Sequence, residues 1–235
     1  PSGDKFALLV GISNYKSISD LSYCDEDVND WYNYLVNALG YDPANIIILG
    51  DGTSSYAKTP AGKATEANYK YYLNWLCDQS GEISFITSGH GAGDGSGSSY
   101  LCAWDCASGE SGEDGSFYDT EIKAIMQTAV ADKIFVFIDH CYSGGIGPEL
   151  MAMSNSAKVY CTTTCTEDGY GYDDPASQNG AWTAEFLQDT LINHFGSSAS
   201  TTMEAAFDYA SANYNHSGGD AAMEFDGNTG SSFTI

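Results

Sequence analysis

Residues 133–144 read KIFVFIDHCYSG, and this segment decides the fold class. After Lys133 the run to Ile138 has no polar interruption, which is typical of a strand buried on both faces of a parallel sheet. Asp139-His140-Cys141 follows, and the chain then gives way to Ser143-Gly144-Gly145, whose small side chains would let a peptide backbone approach the Cys141 sulfur. A buried structural cysteine belongs inside a strand, so Cys141 at a strand end is a candidate nucleophile.

Similar apolar runs on both sides of this segment alternate with helical patterns. We predict further strands at Lys5–Ile12, Asn45–Leu49, Ile83–Thr87 and Val159–Thr163, with a last edge strand at Ser232–Ile235. Apolar residues spaced by three and four predict helices at Cys24–Leu39, Thr65–Cys77, Asp119–Val130, Trp182–Phe195 and Thr201–Tyr214. Repeated β-α-β units predict an α/β fold, a single domain over residues 1–235. We expect a three-layer α/β/α sandwich around a mostly parallel sheet of about six strands.

A second chemically active residue follows the strand Ile83–Thr87, in the turn Ser88-Gly89-His90-Gly91. Catalytic groups collect at the carboxyl ends of strands in such sheets. If the two strands are neighbours, His90 and Cys141 project into one crevice, where His90 can take the thiol proton. His140 should face away from Cys141, because adjacent strand residues point to opposite faces of the sheet.

The charge of the chain restricts its partners. Eight basic residues, all lysine, stand against 32 acidic ones, for a formal charge of −24. A surface this acidic excludes nucleic acid and anionic membranes as partners and favours metal ions or Lys/Arg-containing peptides. Adaptation to a salty or acidic habitat would explain the charge equally well. No apolar run reaches the about 20 residues of a membrane span, and we expect any signal peptide to be absent or already removed.

The chain has seven cysteines. Three disulfides and one free thiol would suit a secreted enzyme with a cysteine nucleophile, so an extracellular location is favoured over the cytoplasm. Two close pairs could be local bridges, free thiols or halves of a four-cysteine metal site, although zinc sites usually space cysteines as CxxC: Cys102/Cys106 and Cys161/Cys165. Cys24 and Cys77 should not pair, because their helices are expected on opposite faces of the sheet.

Two motifs carry a family resemblance. Ser88-Gly89-His90-Gly91 and the segment 139–144 resemble the SGHG and DxCxSG signatures of caspase-like cysteine peptidases, most closely those of metacaspases and orthocaspases. The 51 residues between His90 and Cys141 (141 − 90) agree with the about 50 found in caspases. Ala7–Ile12 resembles the family's opening strand, and Leu21–Val28 resembles its Leu-x-Gly-Cys-x-Asn-Asp-Ala segment. Tyr100–Asp105 resembles the strand after the histidine loop, and Gly180–Leu187 resembles the late helix.

The resemblance implies an endopeptidase with a Cys141–His90 dyad and a thioester intermediate, with no obligatory third residue. The backbone N–H groups of Gly91 and Cys141 are the expected oxyanion donors. Asp139 shares a strand face with Cys141, and Asp27 matches an acidic position that lines the primary pocket of metacaspases. Two carboxylates there would select arginine or lysine, so the expected partners are peptides and proteins with basic residues. Tyr142 and the acidic insertion at 105–119 are particular to this chain.

No cofactor is required by this chemistry, and no metal ligand is assigned. Many metacaspases respond to Ca²⁺, so activation by calcium stays optional; five acidic residues follow the histidine without an EF-hand spacing: Asp94, Asp105, Glu110, Glu113 and Asp114. The glycine-rich run Gly89–Gly97 lacks the lysine and the following helix of a phosphate loop.

Two alternative functions stay open. One is a legumain-like, asparagine-directed peptidase or transpeptidase, which Thr162–Tyr172 faintly resembles, and the other is a catalytically silent binding module. A monomer is favoured. We expect an uncut single chain, because Lys158 is the only basic residue after Cys141 and it immediately precedes a strand.

Overall fold

A computed structural model describes residues 4–94 and 96–235, so residues 1–3 of the predicted domain and Gly95 of the glycine-rich run lie outside the description. The strands are β1 (Lys5–Gly11), β2 (Ile46–Gly50), β3 (Gly62–Lys63), β4 (Glu82–Ser88), β5 (Gly91–Gly93), β6 (Ser99–Cys102), β7 (Ser116–Tyr118), β8 (Lys133–Asp139), β9 (Val159–Thr163), β10 (Asp173–Asp174), β11 (Asn179–Gly180) and β12 (Met223–Asp226). The helices are α1 (Cys24–Asn37), α2 (Glu66–Cys77), α3 (Asp119–Met126), α4 (Ile146–Met151), α5 (Ala181–Thr183), which continues as a π-helix over Ala184–His194, and α6 (Met203–Asn213).

The central sheet confirms the predicted mostly parallel arrangement. Among the described residues it holds seven strands in the order β12-β9-β8-β4-β1-β2-β3, and β12 alone runs antiparallel to its neighbour. Antiparallel strands β5, β6 and β7 form a second sheet after the histidine turn, where the sequence predicted only one strand-like segment. Strands β10 and β11 form a short hairpin.

The two faces of the central sheet are each covered by helices, which confirms the three-layer sandwich. Helices α2, α3 and α4 pack on one face through residues such as Tyr69, Ile122 and Leu150. Helices α1, α5 and α6 pack on the other through residues such as Trp31 and Trp182. The long apolar runs of β1, β4 and β8 supply side chains to both faces, as strands buried on both sides must.

Two predictions about element ends are wrong. Ser232–Ile235 is not a strand, and the edge strand is β12 instead. Phe233 and Ile235 are buried beside α6, where the Phe233 N–H donates to the Glu204 carboxylate (2.9 and 3.1 Å). Helix α3 stops at Met126, four residues early, and Val130 is 58% exposed rather than buried. The Val130 N–H donates instead to the Cys77 carbonyl (3.0 Å), which ties this loop to the end of α2.

All seven cysteines lie in the described residues, and each is a free thiol. Cys24 begins α1, whereas Cys77 ends α2 on the opposite face, in agreement with the expectation that they do not pair. The four-cysteine metal site is not formed by the described residues. None of the helices described here has the length and apolarity that crossing a bilayer requires.

Candidate active site

The ends of β4 and β8 build a cavity of about 180 Å³. These strands are neighbours with Ser88 opposite Asp139, so the chain leaves both at the same edge of the sheet. His90 and Cys141 line the cavity together with Asp139. The structure therefore brings together three of the residues predicted from the sequence.

The His90 ring is held by the loop after β1. Its Nε2 lies 2.9 Å from the Ser19 carbonyl oxygen, which can only accept a hydrogen bond, so Nε2 is the donor in this contact. The His90 backbone N–H donates to the Tyr15 hydroxyl (2.7 Å). No hydrogen bond joins His90 to Cys141 among the described residues, although both line the same cavity.

Cys141 is half-buried at the end of β8, and burial is the largest effect on its thiol. Desolvation raises the pKa of Cys141, and the Asp139 charge raises it further. The Gly171 N–H donates to the sulfur (3.3 Å) and acts in the opposite direction. With its pKa raised, the thiol needs a nearby base to become a nucleophile at neutral pH.

His140 is buried beneath the His90 turn and does not face the Cys141 sulfur. Its Nδ1 lies 2.7 Å from the His90 carbonyl oxygen, and its Nε2 lies 2.8 Å from the Thr87 hydroxyl. Burial lowers the pKa of His140 to about 3, so the ring is neutral and fixed by both contacts. This placement agrees with the expectation that His140 points away from the nucleophile and makes it a support for His90.

Gly91 lies against the backbone of Cys141. A Cβ atom at position 91 would collide with the Cys141 carbonyl oxygen and would also lie 3.1 Å from the His140 Cβ. Only glycine lets β5 start at this point. The backbones of the two predicted oxyanion donors, Gly91 and Cys141, are therefore in contact.

The two carboxylates predicted to determine specificity meet at Gly180. Asp139 Oδ2 accepts hydrogen bonds from the Thr183 N–H (3.0 Å) and hydroxyl (2.8 Å). Asp27 Oδ1 accepts one from the Gly180 N–H (2.8 Å), and its Oδ2 accepts one from the Ser88 hydroxyl (2.6 Å). A Cβ atom on Gly180 would collide with Asp139 Oδ2 and would lie 2.9 Å from Asp27 Oδ2. The side chains of these distant residues are therefore adjacent.

Both carboxylates are unfavourable as charges in the absence of a cation. Burial raises the pKa of Asp139 to about 6. Burial also raises the pKa of Asp27 well above its ordinary value, and the neighbouring Asp139 charge adds to this. A bound cation would reverse both effects, because an opposite charge favours the ionised form.

The cavity is also lined by residues that the sequence did not single out as site residues, among them Cys24, Ser88 and Asp173. Cys24 and Ser88 belong to segments already noted for their family resemblance, so their neighbours could have indicated them. Asp173 lies on β10 and reaches the cavity through a long loop without a local signal. Burial raises the pKa of Asp173 as well.

The acidic residues considered for calcium are not brought into one cluster among the described residues. Asp105 is buried and accepts from the Glu66 N–H (2.9 Å), and Glu110 pairs with Lys16 (2.7 Å). Within the described ranges one group of acids has metal-like spacing: Glu66, Glu113 and Glu121. The Lys70 ammonium already bridges these three carboxylates, at 2.7, 2.8 and 2.8 Å.

Comparison with known proteins adds independent information. The family described as metacaspase, peptidase C14 domain, matches residues 5–148, more than half of the chain. Metacaspase-1 of Kluyveromyces lactis is 31% identical over 93 residues, which cover 38% of this chain and 21% of that protein. Metacaspase-1 of Eremothecium gossypii is 33% identical over 93 residues, covering 38% of this chain and 20% of that protein. The matched region spans about a fifth of these relatives.

Proposed function

The chain belongs to the metacaspase family of cysteine peptidases, and from this premise we propose that it is an endopeptidase that cleaves after arginine or lysine. As a cysteine-type peptidase it acts on peptides or proteins. One observation carries the specificity: Asp27 and Asp139 are buried, adjacent carboxylates, and Asp139 lines the cavity that also holds Cys141.

Catalysis in this proposal uses Cys141 and His90. His90 Nδ1 takes the thiol proton, the thiolate attacks the scissile carbonyl carbon, and the resulting oxyanion is held by the backbone N–H groups of Gly91 and Cys141. His90 then donates its proton to the leaving amine as the C–N bond breaks. Water, with its proton taken by His90, hydrolyses the thioester and restores the thiol.

The charges in the pocket favour a cationic substrate side chain over the alternatives. A guanidinium can bind a carboxylate through two parallel hydrogen bonds, so arginine should be preferred to lysine. A substrate aspartate would be repelled by Asp27 and Asp139. A substrate asparagine, as in the legumain-like alternative, would leave the two buried charges without a counterion.

The test is a set of fluorogenic peptides that differ only in the residue before the scissile bond: Arg, Lys, Asn or Asp, each with and without Ca²⁺. We expect Arg to be cleaved fastest, then Lys, with Asn and Asp far slower. Cys141→Ala and His90→Ala should each abolish hydrolysis while circular dichroism shows an intact fold. The exposed residue Asp208 on α6 offers a control variant, Asp208→Ala, which should cleave like the wild type.

Each alternative predicts a different result. Fastest cleavage after Asn would support the legumain-like function. A folded protein that cleaves none of the peptides under either condition would support a silent binding module. Near-wild-type turnover by either Cys141→Ala or His90→Ala would exclude the dyad.

A further inference from the structure

One wall of the catalytic cavity is a loop segment, residues 169–173, which we call the wall segment. It holds the nucleophile on two sides. The Gly171 N–H donates to the Cys141 sulfur (3.3 Å), and the Gly169 carbonyl accepts from the Tyr142 N–H (2.8 Å). The Gly171 carbonyl oxygen lies 3.7 Å from the sulfur and can accept from the thiol, so the position of this segment determines which hydrogen bonds the sulfur makes.

The wall segment is itself held by Asp220, in the short 3₁₀ turn Gly218–Asp220. Asp220 Oδ1 accepts from the Tyr170 N–H (2.7 Å), and Oδ2 accepts from the Tyr172 hydroxyl (2.8 Å). These two residues stand on either side of Gly171, so one carboxylate fixes both flanks of the N–H group that meets the sulfur. These hydrogen bonds lower the pKa of Asp220 below its ordinary value.

Other contacts bring the turn and the wall segment together. The Gly219 carbonyl accepts hydrogen bonds from the Thr166 N–H (2.9 Å) and hydroxyl (2.8 Å). A Cβ atom on Gly169 would collide with the same carbonyl oxygen, so the two backbones touch. The Tyr172 ring stacks on His216, with centroids 4.7 Å apart and planes 4° from parallel. Asp220 thus lies in a partly exposed contact between the turn and the wall segment.

We propose that Asp220 is a positioning residue of the peptidase, which holds the Gly171 N–H against the Cys141 sulfur and so stabilises the thiolate. This inference rests on the proposed function, because it assigns a role in the same reaction. A hydrogen bond from a fixed N–H is stronger to a charged acceptor than to a neutral one, so it favours the ionised sulfur. Without Asp220 the flanks of Gly171 lose two of their anchors, while the Ala181 N–H still donates to the Tyr172 carbonyl (2.7 Å), so the N–H group is held less firmly in this position.

Two effects of Asp220 on the thiol have opposite signs, and this separates them experimentally. Its negative charge disfavours the thiolate, whereas its hydrogen bonds hold the group that favours it. Asn at position 220 would remove the charge but could still accept from Tyr170 and donate to the Tyr172 oxygen. Ala would remove both. The other ionisable groups that line the cavity are Asp139 at the end of β8, His140 beside Cys141, His90 on the histidine turn, Cys24 at the start of α1, and Tyr172 and Asp173 on the wall segment.

The experiment measures the rate of Cys141 alkylation by iodoacetamide against pH, read by mass spectrometry of the Cys141 peptide, together with kcat and KM on an arginine peptide. For Asp220→Ala we expect kcat to fall about tenfold, the effect of losing one hydrogen bond to a charged acceptor, and the alkylation profile to move to higher pH. Asp220→Asn should keep most of kcat, with a profile that is unchanged or moved to lower pH. Tyr172→Phe, which removes one anchor and leaves the charge, should lie between the wild type and Asp220→Ala. Asp208→Ala on α6 is the control and should match the wild type.

Asp220→Ala with the kcat and alkylation profile of the wild type would overturn the inference, as would Asp220→Asn behaving like Asp220→Ala. If Asp220→Ala fails to fold, Tyr172→Phe and Asp220→Asn decide the question by the same criteria. Alkylation needs no substrate. Failure of the wild type to cleave basic peptides would therefore refute the proposed function, while the alkylation profiles still tested the role of Asp220.

Discussion

Replacing Asp139 with asparagine should slow cleavage after arginine and at the same time stabilise the folded protein above pH 6. The activity loss follows from losing one charged partner of the substrate guanidinium. A hydrogen bond to a charged group contributes about 1.5–3 kcal/mol, so kcat/KM on arginine peptides should fall roughly 10- to 150-fold. Asparagine has nearly the same volume, and its Oδ1 can still accept from the Thr183 N–H and hydroxyl.

The stability gain follows from the buried charge. Burial raises the pKa of Asp139 from 3.8 to about 6, so the native state binds a proton that the unfolded state has lost, and wild-type stability falls as the pH rises from about 4 to 6. Above pH 6 this costs about 3 kcal/mol. Asparagine does not ionise, so the variant does not carry this cost. The free energy of unfolding should therefore rise by up to about 3 kcal/mol at pH 8 and stay unchanged below pH 4.

The measurements are urea unfolding of the wild type and Asp139→Asn at pH 4 and pH 8, and kcat/KM on matched Arg and Lys peptides. Asp208→Asn, an exposed change on α6, is the control and should alter neither quantity. An Asp139→Asn protein that is less stable than the wild type at pH 8 would refute the electrostatic reasoning. Unchanged cleavage after arginine would show that Asp139 does not bind the substrate cation.

Three further predictions concern Gly91, Lys70 and the chain connectivity. Gly91→Ala should lower kcat by about 100-fold or more, because its Cβ would collide with the Cys141 carbonyl and displace an oxyanion donor. The control is Gly93→Ala in the same strand, whose Cβ would lie 3.5 Å from its nearest neighbours and which should retain activity. Equal kinetics of the two variants would contradict this prediction. Lys70→Met should lower the free energy of unfolding by about 2 kcal/mol in urea titrations at neutral pH, since three clustered carboxylates lose their counterion. Lys123→Met breaks a single ion pair with Glu149 and should change the free energy of unfolding by less than about 1 kcal/mol. The active protein should stay one chain on incubation with and without Ca²⁺. Lys158 immediately precedes the buried strand β9, and its ammonium donates to the Ala131 carbonyl (2.8 Å). Intact-mass analysis that shows cleavage after Lys158 before activity appears would overturn this prediction.

Much of the fold was predictable because the strands of a parallel sheet are buried on both faces and therefore consist of continuous apolar runs. The run Val159–Thr163 is buried at every position and was predicted with its observed bounds. Edge elements are different, because one exposed side permits polar residues. The strand β12, MEFD, contains two acidic residues, so its sequence looks like that of a loop. Ser232–Ile235 alternates polar and apolar residues as a strand does, but it forms no strand and buries Phe233 and Ile235 in the core.

The candidate site was predictable to the extent that its residues follow strands. His90 and Cys141 stand directly after β4 and β8, where topology alone brings side chains together. Asp27 required the family resemblance, because nothing in its helix marks it as a pocket residue. Asp173 and Asp220 could not be found, since each reaches the cavity or its wall through loops whose path depends on contacts between segments about 50 residues apart.

The order of strands in the central sheet also bears on the stage of folding at which His90 and Cys141 come together. Lys5 in β1 pairs with Glu82 in β4, 77 positions later (82 − 5), and Glu82 in turn pairs with Lys133 in β8, another 51 positions on (133 − 82). Contacts this distant form slowly, because a long loop must close before they contribute any stability. His90 and Cys141 follow β4 and β8, so the two side chains come together only after the middle of the sheet has assembled. A copy in which β1, β4 and β8 have not yet paired therefore cannot bring His90 and Cys141 together.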